Sequence, residues 1–425
     1  MTLAKYARDN DLLEQPGWKR FKRLIKREKK YVRMLRQARL AQSCYATKTK
    51  FGVEVPRTLE EALEMDKKDG NDLWQEAVKK EMTQIHEYGT FKSEGKGVAA
   101  PTGHKQIKVH LVFDVKYDLR RKARLVAGGH LTDPPKESVY SGVVSTRSIR
   151  MCLFLAELNG LTICAADVGN AYLEANTKEK LYIIGGKEFG DLQGHTLTFK
   201  KALYGLRTSG ARWHEKMADS LRDLGWTPTY ADPDVWMLDS ETHYEYICVY
   251  VDDILICGKK PLEIIEKLKR QYTLKGVGAP EYYLGGDFER REEPEKVLTW
   301  GSKTYINKII EMYKTQFGDL PEKDIHTPLD PGDHPELDVS AEVDSKGIQQ
   351  YQSMIGMLQW AVTLGRIDIY CAVMTMSRFR VQPRQGHLDR LKRIFGYLRT
   401  YKKTSIKFRT AIPDYGEIPV DIGYD

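Results

Sequence analysis

Ile247-Cys248-Val249-Tyr250-Val251-Asp252-Asp253-Ile254-Leu255-Ile256 is the stretch whose reading decides the fold. Two apolar runs rich in β-branched residues flank an adjacent pair of carboxylates, and both runs favour strands. In an apolar hairpin the acids must lie at the turn, because burying both unpaired is very costly. Two like charges side by side are unfavourable unless a cation neutralises them. A divalent metal would do so, and paired acids on a rigid turn make a hard-oxygen site suited to Mg²⁺. Taken alone, the pair reads more readily as a solvent-exposed turn.

A second stretch changes that balance. Ile163-Cys164-Ala165-Ala166-Asp167-Val168-Gly169-Asn170-Ala171-Tyr172 reads as a buried strand ending in an acid, then a turn into a short helix. A lone Asp there is ordinarily an N-cap. Joined to a pair on a neighbouring hairpin, it supplies three carboxylates for two metal ions. Two such ions about 4 Å apart activate a 3′-hydroxyl and stabilise a leaving pyrophosphate. Spacing alone does not bring the two elements together.

Further out, Val109, Leu111, Phe113 and Val115, a charged turn Lys116–Lys122, then Leu125 and Val126 predict a β-hairpin with a basic tip. Residues 58–86 read as helix, with Leu59, Leu63, Trp74, Ala77 and Met82 as the buried positions. A helix at 146–158 leads to a strand at 161–167. Ser209 reads as the N-cap of a helix carrying Trp213, Met217, Leu221 and Leu224. Pro261 opens another helix. Periodic runs at 304–314, 348–364 and 387–399 are helical, and the Pro/Asp-rich stretch 326–346 reads as a linker. The pattern predicts an α+β core followed by a mostly helical region.

The 425 residues predict two to four subdomains. Lys+Arg 67 against Asp+Glu 59 gives a net charge of +8, compatible with an anionic partner without proving one. Residues 19–39 carry eleven Lys and Arg against Glu28 alone and read as a basic amphipathic helix, either a phosphate grip or a solvated arm. No apolar run has the length of a membrane span, and no signal peptide is visible, so no membrane partner is expected. The six cysteines are scattered without a CxxC pair and read as reduced core residues of an intracellular protein, cytoplasmic or nuclear.

Together these blocks resemble the copia-type LTR-retrotransposon reverse transcriptases, the RNA-dependent DNA polymerase region of a Pol polyprotein. Lys122-Ala123-Arg124-Leu125-Val126-Ala127, Asp167, Lys201-Ala202-Leu203-Tyr204-Gly205-Leu206, Tyr250-Val251-Asp252-Asp253 and Tyr283-Leu284-Gly285 occur in the family's order. The resemblance spans roughly residues 72–400. It implies a right-hand polymerase with an antiparallel palm sheet and a helical connection. Residues 1–50 would be a basic arm, 51–86 a helical lead-in, 87–285 fingers and palm, 286–330 thumb and 331–410 connection. The family's ribonuclease H domain is expected to be absent, with 411–425 a tail.

The resemblance also implies roles. Asp167, Asp252 and Asp253 would be catalytic and, with the Val168 carbonyl, hold two Mg²⁺ ions, Mn²⁺ being an alternative. Lys122 and Arg124 would bind the triphosphate of the incoming deoxynucleotide, Tyr172 would act as a steric gate, and Tyr204 and Gly205 would lie beside the nascent base pair. Lys275 would stand near the leaving group. Arg207, Tyr250, Leu284 and Gly285 would contact the RNA or DNA template and its primer, although core packing is the stronger reading for Leu284. Other polyprotein domains or a second copy are further expected partners. Thr208-Ser209-Gly210 and Gly285-Gly286-Asp287 depart from the family's usual strings without removing a carboxylate. The competing readings are an inactive remnant that only binds nucleic acid, and a two-metal nuclease, for which the Tyr172 gate and the basic hairpin have no evident use.

Overall fold

The computed structural model describes residues 48–410 except 117, 133–134, 136–138 and 292–296. The basic segment 19–39 and the tail 411–425 lie outside the described residues. In chain order come β1 (Lys48–Lys50), β2 (Val53–Val55), α1 (Leu59–Asp69), α2 (Leu73–Glu87), β3 (Phe91–Lys96), β4 (Lys105–Gln106), β5 (Val109–Val115) and β6 (Arg121–Ala127). Then follow α3 (Thr146–Leu158), β7 (Thr162–Val168), α4 (Ala171–Glu174), β8 (Leu181–Ile184), β9 (His195–Phe199) and α5 (Ser209–Asp223). Next are β10 (Thr227–Pro228), β11 (Val235–Asp239), β12 (Tyr244–Tyr250), β13 (Asp253–Gly258), α6 (Pro261–Lys269) and β14 (Leu274–Gly278). The last are β15 (Tyr282–Tyr283), β16 (Gly286–Arg291), β17 (Val297–Gly301), α7 (Lys303–Phe317), α8 (Ser345–Thr363), α9 (Tyr370–Ser377), α10 (Gln385–Thr400) and β18 (Ser405–Phe408).

One compact unit takes the residues up to 133 together with 178–206; the rest form the other. In the first, β5 and β6 pair antiparallel from Val109 opposite Ala127 to Val115 opposite Arg121. Leu111, Phe113 and Val115 are buried with Ala123, Leu125 and Ala127 on one face, as period-2 alternation requires. The helix α2 packs against β6, and Trp74 meets Phe113 edge-on at 5.6 Å. The strands β3-β9-β8-β4 form a separate sheet.

Three expectations about this unit fail. The span 58–86 is two helices, because Gly70 at φ +66° closes α1 by returning its N–H to the Asp66 carbonyl. Leu63 is exposed and Leu59, Ala77 and Met82 are only partly buried; Ala62, Val78 and Ile85 join Trp74 in the core. The hairpin turn is also shorter than Lys116–Lys122, since β6 already begins at Arg121.

The second unit is built on a six-stranded sheet of order β10-β11-β12-β13-β7-β14, antiparallel throughout, a sheet of the kind that the resemblance implies. Ile254, Leu255, Ile256 and Cys257 of β13 are each 0% exposed. Leu255 and Cys257 pack with Cys152 and Leu153 of α3. Ile254 and Ile256 face the other way by strand alternation, and α6 also packs on β7, β13 and β14. A sheet covered on both faces explains why its central strands read as unbroken apolar runs. A four-stranded sheet β15-β16-β17-β18 adjoins a helical core in which Ile306, Ile310, Tyr351, Leu358, Leu391 and Phe395 cluster.

The helix α5 starts one residue earlier than expected, with Thr208 at the N-cap and Ser209 inside. The stretch 326–346 is not a free linker. Arg390 of α10 bridges Asp333 at 2.7 Å and Asp338 at 2.5 Å, and Arg393 reaches Asp330 at 2.8 Å. Among the described residues Cys152, Cys164, Cys248, Cys257 and Cys371 are free, and all but Cys371 are buried. No described helix is long and apolar enough to cross a membrane.

Two glycines give opposite expectations. A Cβ on Gly286 would stand 1.3 Å from Nε1 of the fully buried Trp300, so Gly286→Ala should destabilise by more than about 2 kcal/mol in urea titration. Gly356, exposed in the middle of α8 with open space around its Cβ position, should gain roughly 0.5–1 kcal/mol on Gly356→Ala.

Candidate active site

β12 and β13 are joined by the two-residue turn Val251–Asp252, across which Tyr250 pairs with Asp253. The apolar ladder below forces the acids to this end of the sheet. Val251 takes φ +56°, a conformation that β-branched residues rarely adopt and that persists only when its surroundings over-determine it. Two bonds do so here. Trp213 on α5 donates its Nε1–H to the Val251 carbonyl at 2.6 Å, and the Val168 N–H donates to the Asp252 carbonyl at 2.7 Å.

Strand register then gathers the charged groups. Asp253 is the ladder partner of Asp167 across β13 and β7, and Lys275 is the partner of Asp167 across β14 and β7. Such partners have Cα atoms about 4.5–5.5 Å apart and side chains on one face. Asp253, Asp167 and Lys275 thus form a row across three strands, with Asp252 beside it at the turn. The Gly169 N–H donates to the Thr273 carbonyl at 2.9 Å, and a Cβ on Gly169 would stand 3.2 Å from the Lys275 Nζ. The missing side chain leaves room for that ammonium.

Burial pushes the Asp253 carboxyl up to about 6, and the neighbouring charges of Asp252 and Asp167 push it the same way. Carboxylate oxygens crowded at a rigid strand end are the donor chemistry that a hard divalent cation takes. Among the described residues no three such side chains stand in a ligating array.

The other expected residues divide between the units. Tyr172 lies on α4 and is half-buried, so it is not an enclosed core aromatic. The Lys216 Nζ donates to the Glu174 carbonyl at 2.8 Å and ties α4 to α5. Tyr250 and Leu284 pack, half-buried, on the cluster under the sheet. Tyr283 donates its hydroxyl to the Asp253 carbonyl at 3.5 Å. Leu284 and Gly285 form a turn at φ +46° and +92°, and a Cβ on Gly285 would approach Leu364 to 3.1 Å. Arg207 is exposed just ahead of α5.

The first unit holds a set of its own. Lys122 and Arg124 lie on one face of β6, and the Arg124 guanidinium sits 4.7 Å from the Tyr204 ring centroid. The Ala127 N–H donates to the Tyr204 carbonyl at 2.7 Å. Gly205, at φ +91°, comes so near β6 that a Cβ would stand 2.2 Å from the Ala127 carbonyl oxygen. Sequence reasoning missed Trp213 as the anchor of the turn, seeing only a helix-core residue. Its Nε1–H leaves no periodic signal.

Residues 95–321 match the family described as reverse transcriptase (RNA-dependent DNA polymerase). The chain is 31% identical over 366 residues to the Retrovirus-related Pol polyprotein from transposon TNT 1-94 of Nicotiana tabacum, covering 81% of this chain and 26% of that protein. It is 29% identical to the Pol polyprotein from transposon RE1 of Arabidopsis thaliana, covering 68% of this chain and 20% of the relative. The Transposon Ty1-DR4 Gag-Pol polyprotein of Saccharomyces cerevisiae is 26% identical, with 74% and 20% covered. The chain therefore spans about a quarter or less of the length of these relatives. A solved foamy viral protease-reverse transcriptase in complex with double-stranded DNA is similar at TM-score 0.42 and 14% identity, covering 76% of this chain and 47% of that one.

The raised Asp253 carboxyl has a thermodynamic sign. A buried acid raised from 3.8 to about 6 stabilises the fold below pH 4, and that contribution is lost as pH rises through 6. Asp253→Asn should therefore raise the Tm of chelator-treated protein at pH 7.5 by about 2 °C, after discounting for solvent screening, with the difference closing near pH 4. Calorimetry at the two pH values checks it; an unchanged or lower Tm at pH 7.5 counts against charge crowding.

Proposed function

The chain belongs to the reverse transcriptase (RNA-dependent DNA polymerase) family, in its copia-type retrotransposon branch, and from that premise we propose that it extends a primer 3′-hydroxyl with deoxynucleotides on an RNA or DNA template. The observation that carries the proposal is the row Asp253–Asp167–Lys275, with Asp252 on the turn beside it. Phosphoryl transfer asks for in-line positioning and charge neutralisation more than for covalent chemistry.

Reverse transcriptases as a family use divalent metal ions. Asp167, Asp252, Asp253 and the Val168 carbonyl would hold two Mg²⁺ or Mn²⁺ ions, which when bound supply the charge that activates a 3′-hydroxyl and stabilises the leaving pyrophosphate. The remaining work falls to the chain. Lys275, the ladder partner of Asp167, supports the reading with a cation that donates to the leaving group. Tyr172 lies under the sugar and leaves no room for a 2′-hydroxyl. Lys122 and Arg124 grip the triphosphate, Arg124 by planar paired donors. Tyr204 and Gly205 lie by the nascent base pair, where the bare backbone of Gly205 allows close approach. Arg207 contacts the template, Tyr250 the primer end, and the Leu284–Gly285 turn the last primer phosphates. On this reading fingers and palm occupy 87–285, thumb 286–330 and connection 331–410.

Primer extension on poly(rA)/oligo(dT) tests the proposal. Wild type should incorporate dTTP with Mg²⁺ or Mn²⁺, and Asp252→Asn should lower kcat by at least about a hundredfold. Strand cleavage without synthesis, or template binding without extension, overturns it. Tyr172→Val should admit ribonucleotides; unchanged discrimination removes the gate role while leaving the polymerase assignment standing.

A further inference from the structure

Glu81 belongs to α2, the helix that packs along β6. Its Oε1 accepts the Leu125 N–H at 2.9 Å. In an antiparallel pair, alternate N–H groups point away from the partner strand and need another acceptor. On β6, Leu125 gives its outward N–H to Glu81, and Ala127, two residues on, gives its own to the Tyr204 carbonyl at 2.7 Å. The free edge of the strand is therefore held at two successive points, one of them a carboxylate.

Lys122 and Arg124 lie on the same strand within electrostatic reach of that carboxylate. Burial pushes the Glu81 carboxyl up, while the Leu125 N–H and the charges of Lys122 and Arg124 pull it the other way. Two cations projecting from one face of a strand, two residues apart, repel each other when nothing opposes them. A partly buried anion fixed to the backbone at the adjoining Leu125, within electrostatic reach of both, offsets that repulsion. The Arg124 guanidinium lies over the Tyr204 ring, 4.7 Å from its centroid.

We propose that Glu81 is a positioning residue for nucleotide binding: its carboxylate locks the edge of β6 through Leu125 and sets Lys122 and Arg124 in the geometry that receives a deoxynucleoside triphosphate. The inference rests on the polymerase reading above and adds to it a residue that never touches substrate. An acid behind two phosphate-binding cations weakens their net field, so its presence pays only through orientation. That is why the two contributions separate experimentally.

Glu81→Gln keeps an oxygen acceptor for the Leu125 N–H and removes the charge. In extension of poly(rA)/oligo(dT), it should raise the KM for dTTP about five- to tenfold, with kcat within about twofold of wild type. Template–primer affinity should be unchanged and Tm within about 2 °C. In a Lys122→Gln, Arg124→Gln background the same substitution should change KM by less than about twofold, because the groups it orients are gone. A wild-type KM in Glu81→Gln overturns the inference. So does a loss confined to kcat and Tm, or an undiminished effect in the cation-free background. An active enzyme indifferent to Glu81→Gln refutes this inference alone, whereas a wild type that makes no product refutes the polymerase reading and this inference with it.

Discussion

Everything at the candidate site depends on an apolar ladder forcing like charges together. The strands β13 and β7 pair from Gly258 opposite Thr162 to Asp253 opposite Asp167, and nearly every residue between is buried. Burial on both faces leaves little room for a shifted pairing, and the two-residue turn at Val251–Asp252 fixes where β13 begins. The hydrophobic free energy of the buried strands, roughly 1.5–3 kcal/mol for each large side chain, outweighs the repulsion among three carboxylates at their end. Local electrostatics alone would drive those acids apart.

That balance also explains which parts of the site were legible. Ile247–Ile256 announces itself because strands covered on both faces must be apolar at every position, and an acid pair can then sit only at the turn. The β5–β6 hairpin was visible for the opposite reason: one buried face produces strict alternation from Val109 to Ala127. The meeting of Asp167 with Asp253 left no trace in spacing, since 86 residues and several elements separate them. Family resemblance supplied the expectation and register supplied the contact. Lys275 is similar, an ordinary exposed lysine until β14 pairs with β7 and sets it opposite Asp167.

The misreadings have physical causes as well. Charged Glu289, Arg290 and Arg291, of which the sequence alone says little, belong to β16, whose partner β17 is buried at every position. Arg290 is held on Glu157 of α3 by two bonds at 2.6 and 3.0 Å, so its charge does not mark a loop. The 326–346 stretch has a linker's composition, but its aspartates are the partners of Arg390 and Arg393. Composition reports how polar a segment is and says nothing of what the charges find. Glu81 escaped notice on the same ground, as one acid on an amphipathic helix.

Strain and charge crowding coincide at a single turn. Val251 holds an unfavourable φ, Asp252 and Asp253 repel each other and Asp167, and Trp213 with the Val168 N–H spends two hydrogen bonds on keeping the turn in place. An exposed pair of acids on an ordinary hairpin would need none of this, because a Gly or Asn at the turn removes the strain and water screens the charges. A turn serving only to reverse the chain gains nothing from such a conformation. That crowding is what the proposed cation site would draw on, because the folded sheet has already met the cost of bringing the three acidic positions to one end.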